Sequence, residues 1–256
     1  MGTKIKNAFL SISFFLVVLV VWYSLSISEI IPSWFLPGPG KTFVTFWQLI
    51  FDGTIIKLAL ISISNILPAF FIAVLFSVTV GIIIGISETF RKILSPALSA
   101  FYLVPSLAWL PLIIIFIGFT RYSIWTVVFI SSSVRIIYNI IGGVRGVNQN
   151  WILVAKNLEL SRWETIFSVI IPGALPQMLS GIRIGFGSAW RSLIGAEMLV
   201  VTAGGLGKYI WMSQWAFRFD QVFSGLIVIA LIGILTEQLI FKKIEEKTLV
   251  KWGMMQ

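Results

Sequence analysis

Six apolar runs of about 20 residues are spaced along the chain, at 8–27, 62–86, 97–117, 123–141, 181–201 and 222–241. A helix rises 1.5 Å per residue, so each run is long enough to cross a hydrocarbon core of about 30 Å. Membrane β-strands would be about ten residues long and would alternate in polarity; these runs do neither. The pattern predicts an all-α, polytopic membrane protein with six transmembrane helices. Composition agrees with it. Of 256 residues, 58% are hydrophobic and 11% charged, where soluble domains carry about 25% charged residues. Mean hydropathy is +0.98. A water-soluble globular domain is excluded, and so is a disordered chain, which needs low hydrophobicity.

The runs divide the chain. Residues 1–28 form an N-terminal transmembrane helix. A secretory signal is the rival reading of this segment, but the run is 20 residues long and no A-x-A-like cleavage site follows. Residues 29–61 form an outer loop, in which Pro32, Pro37 and Pro39 precede an amphipathic stretch at 41–51, read as a short interfacial helix. Residues 62–241 are the core membrane domain, with a long inner segment at 142–180, and 242–256 form a tail. The connections near Arg91 and Arg121 are short, so the helices they join are expected to be antiparallel neighbours. Prolines 172 and 176 are expected to interrupt the inner segment. The last outer loop, 202–221, is rich in Gly and aromatics, and Trp211, Trp215, Phe217 and Phe219 read as an interfacial belt. No internal repeat is strong enough to argue for inverted halves.

Orientation follows from charge. With the N-terminus inside, the inner side carries Lys4, Lys6, Arg91, Lys92, Arg145, Lys156, Arg162, Lys242, Lys243, Lys247 and Lys251. The outer side carries Lys41, Lys57, Arg121, Lys208 and Arg218. Eleven against five places both termini in the cytoplasm. The formal net charge of +9 is then a topology signal, not a nucleic-acid one.

Cysteine and histidine are absent. There is no disulfide framework, no thiol nucleophile and no Cys or His metal site. With no carboxylates gathered at one depth either, a membrane enzyme fits poorly. Gly204-Gly205-Leu206-Gly207-Lys208-Tyr209 is a decoy for a phosphate loop: Thr202 stands where the first Gly belongs and Tyr209 where Ser or Thr belongs. The chain has no ATP site, so no metal or cofactor is expected on it, and energy has to come from a partner.

The inner segment is the informative one. Residues 150–159 read as a short helix, and Ser161-Arg162-Trp163-Glu164 has the S-x-x-E capping-box pattern that starts a second. This cytoplasmic helix–turn–helix bears Trp151, Leu153, Leu158, Trp163, Ile166 and Phe167. Two readings stand: a docking surface, or a loop packed beneath its own bundle.

Leu153-Val154-Ala155-Lys156-Asn157-Leu158-Glu159, nine residues, then Val169-Ile170-Ile171-Pro172 resembles the EAA loop of ABC importer permeases, roughly E-A-A-x-x-x-G-x9-I-x-L-P. Ala155, Val169, Ile171 and Pro172 match. Leu153 stands in place of Glu and Glu159 in place of Gly; a positive φ at 159 would be costly without glycine. The stretches 94–112 (Leu-Ser-Pro-Ala-Leu…Val104-Pro-Ser-Leu-Ala-Trp-Leu-Pro-Leu) and 181–198, with the following G-L-G turn, are similar to the third and fifth helices of the nitrate/sulfonate/taurine/bicarbonate-type branch. Leu36-Pro37-Gly38-Pro39 is similar to the L-P-x-P entry before its outer helix. The similarity covers about residues 30 to 250.

The resemblance implies a type I ABC importer permease architecture in the bacterial inner membrane. It implies a coupling helix seated in a cytoplasmic ABC ATPase, which binds ATP and Mg, and carried by Ala155, Lys156, Asn157, Leu158, Glu159 and Ser161. It implies an extracytoplasmic substrate-binding protein and a pair of permeases, expected as a homodimer, embedded in lipid. The solute class it implies is a small anion such as nitrate, taurine, another sulfonate or bicarbonate. Import of a vitamin precursor or flavin, and a stand-alone secondary transporter or channel, are the alternatives.

Intramembrane charges are functional candidates by default. Arg191, Ser188, Glu197 and Trp109 are the pathway candidates. Arg191 and Glu197 are six residues apart, about 240° around a helix, so they do not face one partner directly. Arg191 either attracts an anion or pairs with Glu197 or Glu237 of a neighbouring helix or protomer. Arg135 is expected to snorkel to the inner interface. Gly181, Gly185, Gly187, Ser188 and Gly195 make the fifth helix small-sided, which suits a dimer interface, a gate or plain close packing.

Overall fold

The computed structural model describes residues 2–28 and 30–245, with the side chains of 13–28, 30–200 and 202–245. The tail from 246 on, including Lys247 and Lys251, lies outside the described residues, as do the side chains of Lys4 and Lys6.

Helices run almost end to end, and the described residues contain no strand. In order they are α1 (Gly2–Ile27), α2 (Pro39–Phe51), α3 (Thr54–Ile86), α4 (Glu88–Leu103), α5 (Leu110–Ile117), α6 (Arg121–Arg145), α7 (Gln149–Asn157), α8 (Arg162–Thr165), α9 (Ile171–Leu199), α10 (Leu206–Trp215) and α11 (Phe219–Thr236). A 3-10 turn, Ser106–Trp109, joins α4 to α5. A π-turn, Ile166–Ile170, joins α8 to α9, and another, Glu237–Phe241, prolongs α11.

The core is α6 sandwiched between α3 and α9. Ile124, Val127, Val128, Ile136 and Ile140 of α6 are fully buried. Without a strong hydrophobic drive between helices in lipid, such packing depends on close backbone approach. Glycines supply it. A Cβ at Gly181 would lie 2.5 Å from that of Asn139, one at Gly185 2.5 Å from Cγ1 of Ile136, and one at Gly195 2.5 Å from Leu107. At Gly181, Gly185 and Gly195 the small face of α9 is therefore filled by its own chain.

Several expected boundaries move. The third run is not one straight helix: Val104 is extended (φ −77°, ψ 125°) before Pro105, and α4 meets the following 3-10/α5 segment at 95°. The residue before a proline avoids the α region, which ends α4 there. The second helix begins at Thr54, after Gly53 at φ +74°. Prolines 172 and 176 do not interrupt the fifth. The Ile171 amide reaches back five residues to the Ile166 carbonyl, and this π-turn accommodates the missing amide of Pro172. Arg162–Leu199 is thus one apolar helical rod of 38 residues. The Gly-rich loop at 202–221 contains a helix of its own, α10.

Among the described residues, four helical segments are long and apolar enough to cross a membrane: Thr54–Ile86, Arg121–Arg145, Arg162–Leu199 and Phe219–Glu245. The bent pair makes a fifth if it counts as one span. In α1 the stretch Ser13–Ile27 is apolar but shorter. The expected α2 is present, with Pro39 in its first turn, where no helical amide is needed. It lies on α11: Thr45 Oγ1 donates to Asp220 Oδ2 (2.9 Å) and Ser224 Oγ to the Thr42 carbonyl (3.2 Å). Trp22 of α1 donates to the Pro37 carbonyl (3.0 Å) and stacks on Phe223. Of the aromatics in the last outer loop, Phe217 packs against Trp34 and Phe219 against Phe35.

Candidate functional site

The elbow between α6 and α9 is built from strong local signals. Asn148 Oδ1 accepts the Asn150 amide (2.9 Å) and starts α7. The end of α7 is a Schellman motif: the Glu159 amide donates to the Lys156 carbonyl (3.0 Å) and the Leu160 amide to the Ala155 carbonyl (3.1 Å). Glu159 occupies the left-handed position, at φ +54°. The turn keeps a positive φ at this position although a glutamate, not a glycine, bears it. The capping box also forms: Ser161 Oγ accepts from the Glu164 amide (3.3 Å), and Glu164 Oε2 from the Ser161 amide (2.8 Å).

The two faces of the elbow differ. Ala155 is buried, and Ile152 is half-buried against a cluster that includes Val147, Ala174, Val169 and Ile170. Lys156, Asn157, Leu158, Glu159 and Ser161 are exposed. So are Trp151, Leu153, Val154, Trp163 and Phe167; Leu158 is 67% and Trp163 70% exposed. The elbow is anchored beneath its bundle through α7 and still presents an apolar outer face. Of the six coupling candidates, Ala155 is the one the fold turns inward.

Ion pairs that the sequence did not single out flank the elbow end. Glu88 Oε2 accepts from Arg145 Nη1 (3.0 Å) and its carboxylate also pairs with Arg91. Arg183 holds Glu237 and, at 2.8 Å, Glu245. Three of these pairs link residues more than fifty positions apart, which spacing along one helix cannot reveal.

The pathway candidates separate. Glu197 is fully buried at the far end of α9. It accepts from Ser62 Oγ (2.8 Å), Asn65 Nδ2 (3.0 Å) and the Gly207 amide (3.1 Å). It ties α3, α9 and α10 together. Trp109 is half-buried and stacks on Phe101. Ser188 is buried, with Oγ accepting from Arg191 Nη2 at 3.4 Å. Arg191 itself is exposed mid-helix. Within this chain it pairs with neither Glu197 nor Glu237. Arg135 does not snorkel toward the Arg145 end of α6; its Nη1 donates to the Ser131 carbonyl (2.8 Å), one turn in the opposite direction.

A family model described as "Binding-protein-dependent transport system inner membrane component" matches residues 77–241. The taurine transport system permease protein TauC of Escherichia coli is 35% identical over 237 residues, 91% of this chain and 86% of that protein. The putative aliphatic sulfonates transport permease protein SsuC of Bacillus subtilis is 31% identical, over 92% of this chain and 84% of that one. Among solved structures, a chain of the inward-facing MetNI methionine ABC transporter shares the fold, with a TM-score of 0.64 at 14% identity over 75% of this chain and 95% of that one. An apolar elbow, a bundle of membrane-length helices and these matches agree: the chain belongs to the inner-membrane components of binding-protein-dependent transport systems, in the branch of taurine and sulfonate ABC permeases.

Proposed function

We propose that this chain moves a small anion of the taurine, sulfonate, nitrate or bicarbonate class by alternating access, driven by a partner ATPase. It crosses the membrane six times with both termini in the cytoplasm and works as a pair. An external binding protein delivers solute to the surface formed by 36–61 and 202–219. The ATPase, holding ATP and Mg, receives the elbow through Lys156, Asn157, Leu158, Glu159 and Ser161, with Ala155 as the anchor beneath.

The observation that carries this reading is the elbow's exposed apolar face joined to a continuous rod. From Arg162 to Leu199 the chain is one helical unit, about 57 Å long at 1.5 Å per residue. Displacement of the turn by a closing ATPase pair passes along that rod to the level of Arg191. The π-turn at its base is the natural bending point. That Arg135 and Arg191 have no carboxylate partner among the described residues favours an anion over a vitamin precursor or flavin.

The test is replacement of the exposed tip. Leu158→Arg combined with Glu159→Lys is expected to abolish co-purification of the ATPase and solute-dependent ATP hydrolysis, with the membrane domain still folded. Normal co-purification and transport by this variant would overturn the coupling role. Ion-coupled flux from liposomes containing this chain alone would replace the reading with a stand-alone carrier.

A further inference from the structure

The cavity between α4, α6 and α9 has no part in the elbow or in the far-end network. It measures about 470 Å³ and is lined by Ser99, Tyr102, Arg135, Tyr138, Asn139 and Ile184, among others. It sits beside helices of membrane length, where an uncompensated charge is expensive and marks a functional site by default. Arg135 is such a charge: among the described residues no carboxylate pairs with it.

The surroundings hold the guanidinium without neutralising it. Nη1 is bound to the Ser131 carbonyl at 2.8 Å. The Tyr102 ring lies beneath, 5.8 Å from Cζ to centroid, a cation–π contact that orients the fork. The Tyr102 and Tyr138 rings meet edge to face at 5.2 Å. Ser99 Oγ and Tyr138 OH are 2.9 Å apart. The Asn139 amide donates to the Arg135 carbonyl (2.9 Å) and fixes the α6 wall. The guanidinium keeps further N–H donors; of the Ser99–Tyr138 pair one hydroxyl donates to the other, which leaves one O–H from that pair and the Tyr102 O–H for the cavity.

A fixed planar fork with neighbouring hydroxyls matches an oxyanion, which accepts through several oxygens at once. A second cation lies along the same face. Ile184, Ser188 and Arg191 follow at spacings of four and three, so they share one side of α9. Arg191 is about 10 Å further along the axis than Ile184, with its guanidinium turned back toward Ser188.

We propose that this cavity is an oxyanion-binding subsite inside the membrane domain, with Arg135 as the principal donor, Tyr102 and Tyr138 as its positioning and hydroxyl walls, and Arg191 as the next cation on the way to it. The inference rests on the anion-permease reading above and deepens it, because it gives the membrane domain an affinity of its own for the solute. A lipid phosphate offers the same chemistry, so the experiment separates the two sources.

The complex of this chain with its ATPase is placed in nanodiscs of phosphatidylcholine alone, without binding protein. Thermal stabilisation is then titrated with taurine, ethanesulfonate, nitrate and bicarbonate. At least one is expected to stabilise the wild type saturably. Arg135→Gln is expected to weaken that anion about tenfold or more, and Tyr138→Phe by about threefold. Arg135→Lys, which keeps the charge and loses the fork, should fall between, and it serves if the Gln variant fails to fold. Arg121→Gln, at the end of the same helix, should leave the titration unchanged. A wild type indifferent to all four anions, or an Arg135→Lys and Tyr138→Phe pair that titrate like wild type, overturns the subsite. So does a shift seen only on adding phosphatidylglycerol to the discs, which assigns the cavity to lipid. Failure of the permease reading looks different: the elbow variant would keep its ATPase, whatever the anion titration does.

Discussion

The amide of Gly207 donates to the Glu197 carboxylate at 3.1 Å, so the turn that leaves α9 is bound back onto the helix it has left. Ser62 Oγ serves both sides, donating to Glu197 (2.8 Å) and accepting from the Leu206 amide (2.9 Å). This network explains the glycines there. Gly205 lies at φ +98°, and a Cβ on it would fall 2.3 Å from the carboxylate; one on Gly207 would fall 2.2 Å from the Ile194 carbonyl. Glu197→Ala leaves three buried donors unpaired, and at 1–3 kcal/mol each the loss is expected to be about 3 kcal/mol or more. Gly207→Ala should be at least as damaging, because the obstacle is backbone. Thermal unfolding of the purified protein, followed by tryptophan fluorescence, measures both. A Glu197→Ala protein that melts like wild type would remove the structural role assigned here.

Glu159 carries a second, opposite expectation. An L-residue in the left-handed region costs about 1–2 kcal/mol relative to glycine, and Glu159 stands at φ +54° with both Schellman bonds formed. Glu159→Gly is therefore expected to stabilise the elbow by about 1 kcal/mol, whereas Ser161→Ala, which removes one arm of the capping box, should cost about 1 kcal/mol. Hydrogen exchange of the 155–165 amides reports the elbow directly: protection should rise in the first variant and fall in the second.

Local chemistry was the legible part of the fold. The capping box at Ser161 and the proline-led α2 follow from residues a few positions apart, and each is present. Apolar run length located the helices but not their ends, because an apolar residue flanking a helix cannot be told from one inside it; hence α3 begins at Thr54, and the fifth run continues back without a break to the helix that the capping box starts at Arg162. Pro105 and Pro172 carry the same signal with opposite outcomes. Val104 goes extended and the helix breaks, while the π-turn at 166–170 lets the chain run through Pro172. That difference is set by neighbours, not by the proline. At the site, the apolar elbow is legible in the sequence; the network around Glu197 is not, because its partners Ser62 and Asn65 lie more than 130 residues away.

The glycines of α9 divide by what they face. Gly185 abuts Ile136, whose Cγ1 would be 2.5 Å from an added Cβ, with the Ser132 carbonyl at 3.4 Å. Gly187, two residues on, meets only the end of the Arg191 side chain, at 3.7 Å. Gly185→Val is expected to separate α6 from α9 and cost about 3 kcal/mol, the upper range for overpacking. Gly187→Ala should be neutral or slightly stabilising, since Ala is favoured over Gly within a helix by about 1 kcal/mol. Yield of monodisperse protein and its melting temperature distinguish them; equal losses at both positions would mean that the Gly187 face is also packed, against a second copy.

Arg183 joins the prolonged end of α11 to α9 by holding Glu237 and Glu245. Its side chain is 40% exposed and that of Glu237 43%, so the attraction is screened and each pair is worth about 1 kcal/mol or less. Arg183→Glu brings three carboxylates together and is expected to destabilise more than Arg183→Ala does. Adding Glu237→Arg to Arg183→Glu should recover part of the loss, with Glu245 still favouring a cation nearby. A double-mutant cycle on melting free energies gives the coupling. A value near zero would show that the α11 end is held by Phe186 against Phe241, and the charge swap would then recover nothing.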